Sequence, residues 1–448
     1  MKLLLVEPDF PIPLKSKNHS HFLPIGLLKI GTYHRERGDV VRLVRGLVRC
    51  EFDPDRILIT SLFTYWSKYV HDAAAFYHRA YPSANIEIGG IYASLMPDHC
   101  KRNSPFASVK PGLYRGGVAE NVVIDFSLLP EDLDYQIIHA SRGCPRRCTF
   151  CGTWRIEPRF TYKTSILQEI RKRRLVFYDN NLLANPHIDD ILRELISYRT
   201  VDGHRVICES QSGFDLCLLS AERAKVLKAA RFVKPRIAWD GPYNTWRQVR
   251  RGVAILKDVG YGRKDIFVFM IYNHELPYSE MKRKLDACRR WRVRVIDCRY
   301  RPLTSTEDNY RPGAQPQQPG AYHIHAGWTD LQLRRFRRAV RHQNIAILLD
   351  LPNGRYIQGC KQHKVLARNN SSMPASSKLI ADPPSRGPIA SPRPALPPFC
   401  MRMRSGFRPS QPKLLRRSRL AEQGATSQSS ICRPLRGLER VPIPVTTG

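Results

Sequence analysis

The stretch YQIIHASRGCPRRCTFCGTW, Tyr135 to Trp154, decides the reading of the fold. Its first seven residues, YQIIHAS (135–141), have the apolar run of a buried strand. Cys144, Cys148 and Cys151 follow directly, spaced C-x3-C-x2-C. Toward the C-terminus further strand candidates recur: RLVFYDN (174–180), RVICESQ (205–211), PRIAWD (235–240), DIFVFMIY (265–272) and VRVIDCRY (293–300). They begin roughly thirty residues apart, the length of one βα unit. Amphipathic segments such as IDDILRELI (188–196) and AERAKVLKAA (221–230) lie between them. Six units predict an open, partial (β/α)6 barrel of TIM type over 135–310, because a full eight-unit barrel needs more chain.

Toward the N-terminus the pattern is again strand and helix in alternation. KLLLVE (2–7), DVVRLVRG (39–46), RILITSL (56–62) and NIEIGG (85–90) read as strands, with helices over 24–35 and 70–81. Apolar strands separated by helices predict a parallel sheet covered on both faces. Residues 1–100 are thus expected to form a Rossmann-like domain. Ligands of such sheets bind at the carboxyl ends of the strands. Gly89 and Gly90 sit at one such end, where a bare backbone either approaches a ligand or makes a tight turn. Residues 101–134 lack periodicity and read as a linker. Residues 311–365 read as an extension carrying a helix over 331–343. From 366 to 448 the chain holds 13 of its 34 prolines, with many Ser and Arg, and this composition predicts a disordered basic tail. The tail reads as an appendage or an unselected reading frame. Truncation at residue 365 is therefore expected to leave solubility and whatever the three cysteines hold intact.

Hydrophobic residues make up 42% of the 448, enough for more than one core. No apolar run approaches the roughly 20 residues needed to span a bilayer, so no membrane partner is expected. The start MKLLLVEPDF reads as a first strand rather than a signal segment, which predicts a cytoplasmic protein. The net charge of +34 points by itself to a polyanion. From Lys361 onward, however, 16 Lys and Arg stand against 3 Asp and Glu, so the tail accounts for +13. The remainder has no evident motif and reads as an Arg-rich solvated surface. Of twelve cysteines, three fall within eight residues. In a reducing compartment such a group signals metal or redox chemistry rather than disulfides.

Three thiolates on one loop can hold three corners of an iron–sulfur cubane and leave the fourth iron open. Structural clusters and zinc sites normally take four ligands. With Phe150 directly before the last cysteine, the loop resembles the signature of the radical S-adenosylmethionine (SAM) superfamily. That resemblance implies a [4Fe–4S] cluster on Cys144, Cys148 and Cys151, with SAM bound at the open iron. It further implies one-electron cleavage of SAM to a 5′-deoxyadenosyl radical that abstracts a substrate hydrogen, and a reductant of flavodoxin or ferredoxin type. The cofactor carries this chemistry while the protein positions and shields it. KLLLVEPDFP, FLPIGLLKIG and IEIGGIYASLMPDHC resemble the cobalamin-binding-type domain that precedes many radical SAM cores. FYDNNLLANP (177–186), CESQSGFD (208–215), RIAWDG (236–241), FMIYN (269–273) and DCRYRPL (297–303) resemble an uncharacterised family with this architecture. The likeness runs from residue 1 to about 345. The D-x-H-x-x-G pattern whose histidine ligates cobalt is absent: Asp9 and His19 are not so spaced, and HRERGD (34–39) lacks the aspartate. If cobalamin binds, methyl transfer becomes the favoured reaction. The substrate is a small or modified molecule that the resemblance does not name.

The remaining candidates lie at strand ends. Tyr178, Asp179, Asn180 and Asn181 end the second barrel strand, where the superfamily contacts the SAM amino group. Asp179 or Asn180 either accepts that bond or caps a turn. Glu209, Gln211 and Ser212 end the third strand and Asp240 the fourth, placed to hold ribose hydroxyls; Asp240-Gly241-Pro242 equally suits a turn. Asn273 and Glu275 end the fifth. Arg299 and Arg301 share one face of the sixth, suited to a bound carboxylate or phosphate or to a solvated rim. Arg142, Arg146, Arg147, Arg155 and Arg159 surround the cysteine loop. His323 and His325 form a weak metal signal. Two readings compete with the enzyme: a non-catalytic basic nucleic-acid-binding protein with a structural metal site, and a degenerate enzyme damaged in its tail.

Overall fold

The structure is a computed structural model that describes residues 1–12, 23–130, 133–311, 317 and 320–351. The chain divides into two units, Met1–Ser371 and Ser372–Gly448. The second lies outside the described residues, as do His19 and the expectations for 352–365 and for the 366–448 tail. The first is an α/β structure built on parallel sheets.

The N-terminal series runs β1 (Lys2–Glu7), α1 (Ile25–Arg35), β2 (Val40–Arg45), β3 (Arg56–Ser61), α2 (Ser67–Ala80), β4 (Asn85–Gly90), α3 (Ile91–Leu95), α4 (Pro97–Asn103) and β5 (Ser108–Val109). Its five strands pair in parallel, in the order β2-β1-β3-β4-β5. Leu3, Leu4, Leu5 and Val6 are all fully buried. Alternate side chains face opposite ways. Leu4 and Val6 join the core under α2, and Leu3 and Leu5 join a second core with Leu27 and Leu28 of α1. Burial on both faces explains the unbroken apolar run, each leucine contributing roughly 1.5–3 kcal/mol. The sheet extends past residue 100: β5 lies in the segment expected as a linker, too short at two residues to show a period.

The second series runs β6 (Tyr135–Ile138), β7 (Ser141–Arg142), α5 (Thr153–Ile156), β8 (Thr161–Tyr162), β9 (Arg174–Phe177), α6 (Ile188–Ser197), β10 (Ile207–Ser210), α7 (Ala221–Ala229), β11 (Arg236–Ala238), α8 (Trp246–Asp258), β12 (Phe267–Tyr272), α9 (Tyr278–Arg290), β13 (Arg294–Arg299) and α10 (Asp330–Leu348). All six strands expected here form. They make two parallel three-stranded sheets, β10-β9-β6 and β11-β12-β13, while β7 and β8 form a small antiparallel pair. Single parallel bridges join Cys208 of β10 to Phe232, ahead of β11, and Phe214, beyond β10, to Ile237 of β11. Helix α6 buries Ile188, Ile191, Leu192 and Leu195, the i, i+3, i+4, i+7 stripe of a helix laid on a sheet. Thr329 and Gln332 close α10 with a capping box. Leu175, Phe177, Ile237, Val268 and Met270 face the helices. Ile137, Val176 and Tyr178 face the other way, onto the core that holds Leu3, Leu5 and Leu28.

The N-terminal series also touches the carboxyl ends of the second series. The Arg301 guanidinium lies 4.6 Å from the centre of the Tyr65 ring. Burial pushes the Tyr65 hydroxyl up to about 12. A Cβ on Gly152 would stand 3.4 Å from Leu95 of α3 and 3.6 Å from Leu303, so the cysteine loop is bounded by apolar side chains from both series.

Candidate functional site

The cysteine loop leaves β6 through a clamp. Asp179, buried just past β9, accepts hydrogen bonds from the Ala140 N–H at 3.1 Å, the Ser141 N–H at 2.5 Å and the Ser141 hydroxyl at 2.6 Å. Asn185 donates to the Ala140 and Lys163 carbonyls. Gly143 adopts φ +73°, and a Cβ there would fall 2.4 Å from the Arg159 carbonyl oxygen, so only glycine passes. Its N–H donates to Glu157 Oε2 at 2.8 Å, and Glu157 also pairs with Arg142. Beyond this anchor the chain turns on itself. Cys151 N–H donates to the Cys148 carbonyl at 3.1 Å, Trp154 Nε1 donates to the same carbonyl at 3.2 Å, and Thr153 N–H points to Cys151 Sγ at 3.5 Å.

Cys144, Cys148 and Cys151 are free thiols, each partly exposed. Burial pushes the Cys144 and Cys148 thiols up, and their neighbours add to it: Cys151 acts on Cys144, and Cys151 and Cys144 both act on Cys148. The three sulfurs therefore share one electrostatic neighbourhood. Among the described residues no group of three or more His, Cys, Asp or Glu converges closely enough to hold a metal ion. A cubane takes each thiolate at a different iron, so it needs sulfurs spread around a volume rather than pointed at one atom. The donor set, three thiols on one anchored loop with an N–H directed at a sulfur, fits such a cluster.

Several candidates come together around this loop. Asp240, past the end of β11, acts electrostatically on Cys148 and on Cys298. Burial raises its carboxyl against the opposing pull of Lys284 and Arg146. Asn180 accepts from the Thr153 hydroxyl at 3.1 Å, beside Cys151. The Phe150 ring meets His274 edge-on at 6.1 Å. His274 had no signal in the sequence, since it follows β12 without a motif. Arg146 pairs with Asp215 at 3.2 Å.

Other candidates have different work. Asp179 is a clamp, its oxygens turned to the β6 exit rather than to a ligand. Glu209 forms a buried pair with Arg236 and a second pair with Lys234, so both its oxygens are engaged by cations of the chain. Gln211 bonds back to Glu209, and the Ser212 and Ser210 hydroxyls bond to each other. Arg299 and Arg301 both grip Asp308; the carboxylate they suit belongs to the chain itself. Asn273 is buried at φ +62° and ties the His323 carbonyl and the His325 N–H. His323 and His325 pack near Tyr300 and His274.

Tyr178, Gly89 and Gly90 border a crevice of about 340 Å³ between the carboxyl ends of β3 and β4, the start of α1, and His139 and Arg142. Gly90 is required sterically: at φ +95° a Cβ would sit 2.3 Å from the Ser61 carbonyl oxygen. Gly89 has its nearest such atom at 3.6 Å. Drug-sized ligands occupy sites of about 300–1,000 Å³. A corrinoid exceeds that class, and no histidine stands in the D-x-H-x-x-G pattern. The crevice as it stands fits a smaller molecule. No family model matches the chain, and no curated protein does.

Proposed function

We propose that the chain is a radical SAM enzyme whose [4Fe–4S] cluster is held by Cys144, Cys148 and Cys151. In this reading the two three-stranded sheets are halves of one open (β/α)6 barrel of TIM type, preceded by a Rossmann-like domain. One observation carries it: three thiols on a single clamped loop at a parallel strand's carboxyl end, each within electrostatic reach of another, in a loop with no fourth cysteine or histidine. The cluster, when bound, supplies the electron that cleaves SAM so that a substrate hydrogen can be abstracted.

The chain's own residues prepare the place. Asp179, Glu157 and Gly143 fix where the loop leaves the sheet. Phe150 and the apolar pair Leu95 and Leu303 give the partly exposed loop an apolar border. Asp240 serves as hydrogen-bond acceptor for the SAM ribose, and Asn180 accepts from Thr153 and steadies the Cys151 end. Arg146, already paired to Asp215, offsets part of the thiolate charge. A low-potential donor of flavodoxin or ferredoxin type supplies electrons, and the substrate is a small or modified molecule. This reading needs only the cluster and SAM.

Anaerobic reconstitution with iron and sulfide, followed by dithionite and SAM, tests it. The expected result is four irons per chain and 5′-deoxyadenosine, both lost in Cys148→Ala. Zinc in place of iron, with no SAM cleavage, would favour a non-catalytic protein with a structural metal site.

A further inference from the structure

Part of the excess charge that looks diffuse in sequence lies unmatched on two consecutive helices of the second series. On α6 and α7 the charges are matched: Arg193 pairs with Asp190 at 2.7 Å, Arg223 with Asp189 at 2.7 Å and Lys225 with Glu222 at 2.9 Å. On α8 and α9 they are not. Arg247, Arg250 and Arg251 form an exposed stripe opposite the buried Val249, Gly252, Val253 and Leu256. Lys282, Arg283 and Arg290 form the matching stripe on α9. Among the described residues none of these six has an ion-pair partner. The nearby acids are engaged elsewhere, Glu280 by the Tyr243 N–H and Asp286 by Arg289; Asp258 stands at the far end of α8.

Helix α9 packs on the turn Tyr243–Thr245 that opens α8. Arg283 of α9 lies 4.2 Å from the centre of the Tyr243 ring, in the turn that opens α8, and Arg247 lies 5.2 Å from that of Trp246. Rings beneath the guanidinium planes orient them while leaving their donors outward. On α10, Arg335, Arg338 and Arg341 are also exposed without an ion pair among the described residues.

We propose that the α8–α9 face docks the phosphate backbone of a nucleic acid. Three features favour this occupant. Five of the six cations are arginine, whose fork pairs with phosphate oxygens bidentately. No large hydrophobic side chain is exposed on either helix, whereas a protein partner asks for an apolar interface core. The C-terminal tail, at +13 beyond residue 360, has the same sign as the face and so does not complement its charge. The proposal goes beyond the cluster reading and does not depend on it, because the six cations lie on α8 and α9 and not on the cysteine loop.

The test is fluorescence anisotropy of the full chain with a labelled oligo-uridine strand of about 20 nucleotides, from about 50 to 200 mM salt. A duplex DNA of the same length and polyglutamate serve as competitors. Replacing Arg247, Arg250, Arg251, Lys282 and Arg283 by Gln should weaken binding at least roughly tenfold and reduce the log–log salt slope by about 3. The same five positions carrying Lys or Arg throughout, with Arg→Lys only, should retain the slope. Replacing Arg416, Arg417 and Arg419 by Gln should cost less, and Cys148→Ala should bind as the parent does. Unchanged affinity and slope in the five-site variant would overturn the proposal. So would polyglutamate displacing the strand more effectively than unlabelled oligo-uridine, which would mark an acidic protein as the occupant.

Discussion

The exits of β9 and β11 present the same sequence feature and opposite physical situations. Each strand is followed two residues on by an aspartate, Asp179 and Asp240, and each carboxyl is raised by burial. Asp179 accepts three hydrogen bonds from residues 140 and 141. Asp240 has no hydrogen-bond partner among the described residues, yet it senses Cys148, Lys284 and Arg146. A carboxylate with its acceptors filled by backbone is a structural strut. One left with open acceptors next to a thiol loop is available to a ligand. The type of residue at a strand end thus says little until its hydrogen bonds are counted.

Stability separates the two aspartates most strongly. Asp179→Ala leaves the buried Ala140 and Ser141 N–H groups unsatisfied and should lower unfolding free energy by roughly 3 kcal/mol. Asp240→Ala should change it by less than about 1 kcal/mol. Urea denaturation of both variants decides this, and equal losses would erase the distinction.

The pH dependence sharpens it. Asp179 sits at about 6 in the folded chain, against an ordinary 3.8. The folded state therefore binds the proton more tightly, and its contribution is greatest below the unfolded value and is lost as pH rises through about 6. The stability of Asp179→Asn relative to the parent should thus improve by roughly 2 kcal/mol between pH 4 and pH 7. Taking the difference removes the opposing carboxylates whose values are lowered by ion pairs, such as Glu120 and Glu209. A flat difference across that window would contradict the assignment.

The smallest expected effect is on function alone. Asp240→Asn should keep the parent's iron content and stability. It should lower 5′-deoxyadenosine formation by about tenfold, the size of one charge-assisted hydrogen bond. Unchanged formation at limiting SAM would remove Asp240 from the SAM site.

The strands were legible because burial on both faces leaves long apolar runs such as FVFMIY, Phe267 to Tyr272, and because βα units repeat at a regular length. The pieces that escaped were short. β5, β7 and β8 have two residues each, and no period can be read from two. At the site, the cysteine spacing was visible since all three cysteines lie on one loop. Pairings across the sheet were not. Glu209 finds Arg236 and Lys234 on the next βα unit, 27 and 25 residues away. Arg299 and Arg301 find Asp308 in a loop without periodicity. Their sequence pattern suited an external anion, and only the fold reveals that the anion is internal. The charge asymmetry between α6–α7 and α8–α9 was hidden for a related reason, because it emerges only when exposed positions of separate helices are set side by side.

The claim on which the account rests is an iron corner that the chain leaves free. Electron paramagnetic resonance of the reduced, reconstituted protein, recorded before and after adding SAM, addresses it directly. The account predicts a [4Fe–4S] signal whose g values shift on SAM addition, because the nucleotide takes the open iron. A cluster signal indifferent to SAM, or no cluster at all with Cys144, Cys148 and Cys151 intact, would contradict it.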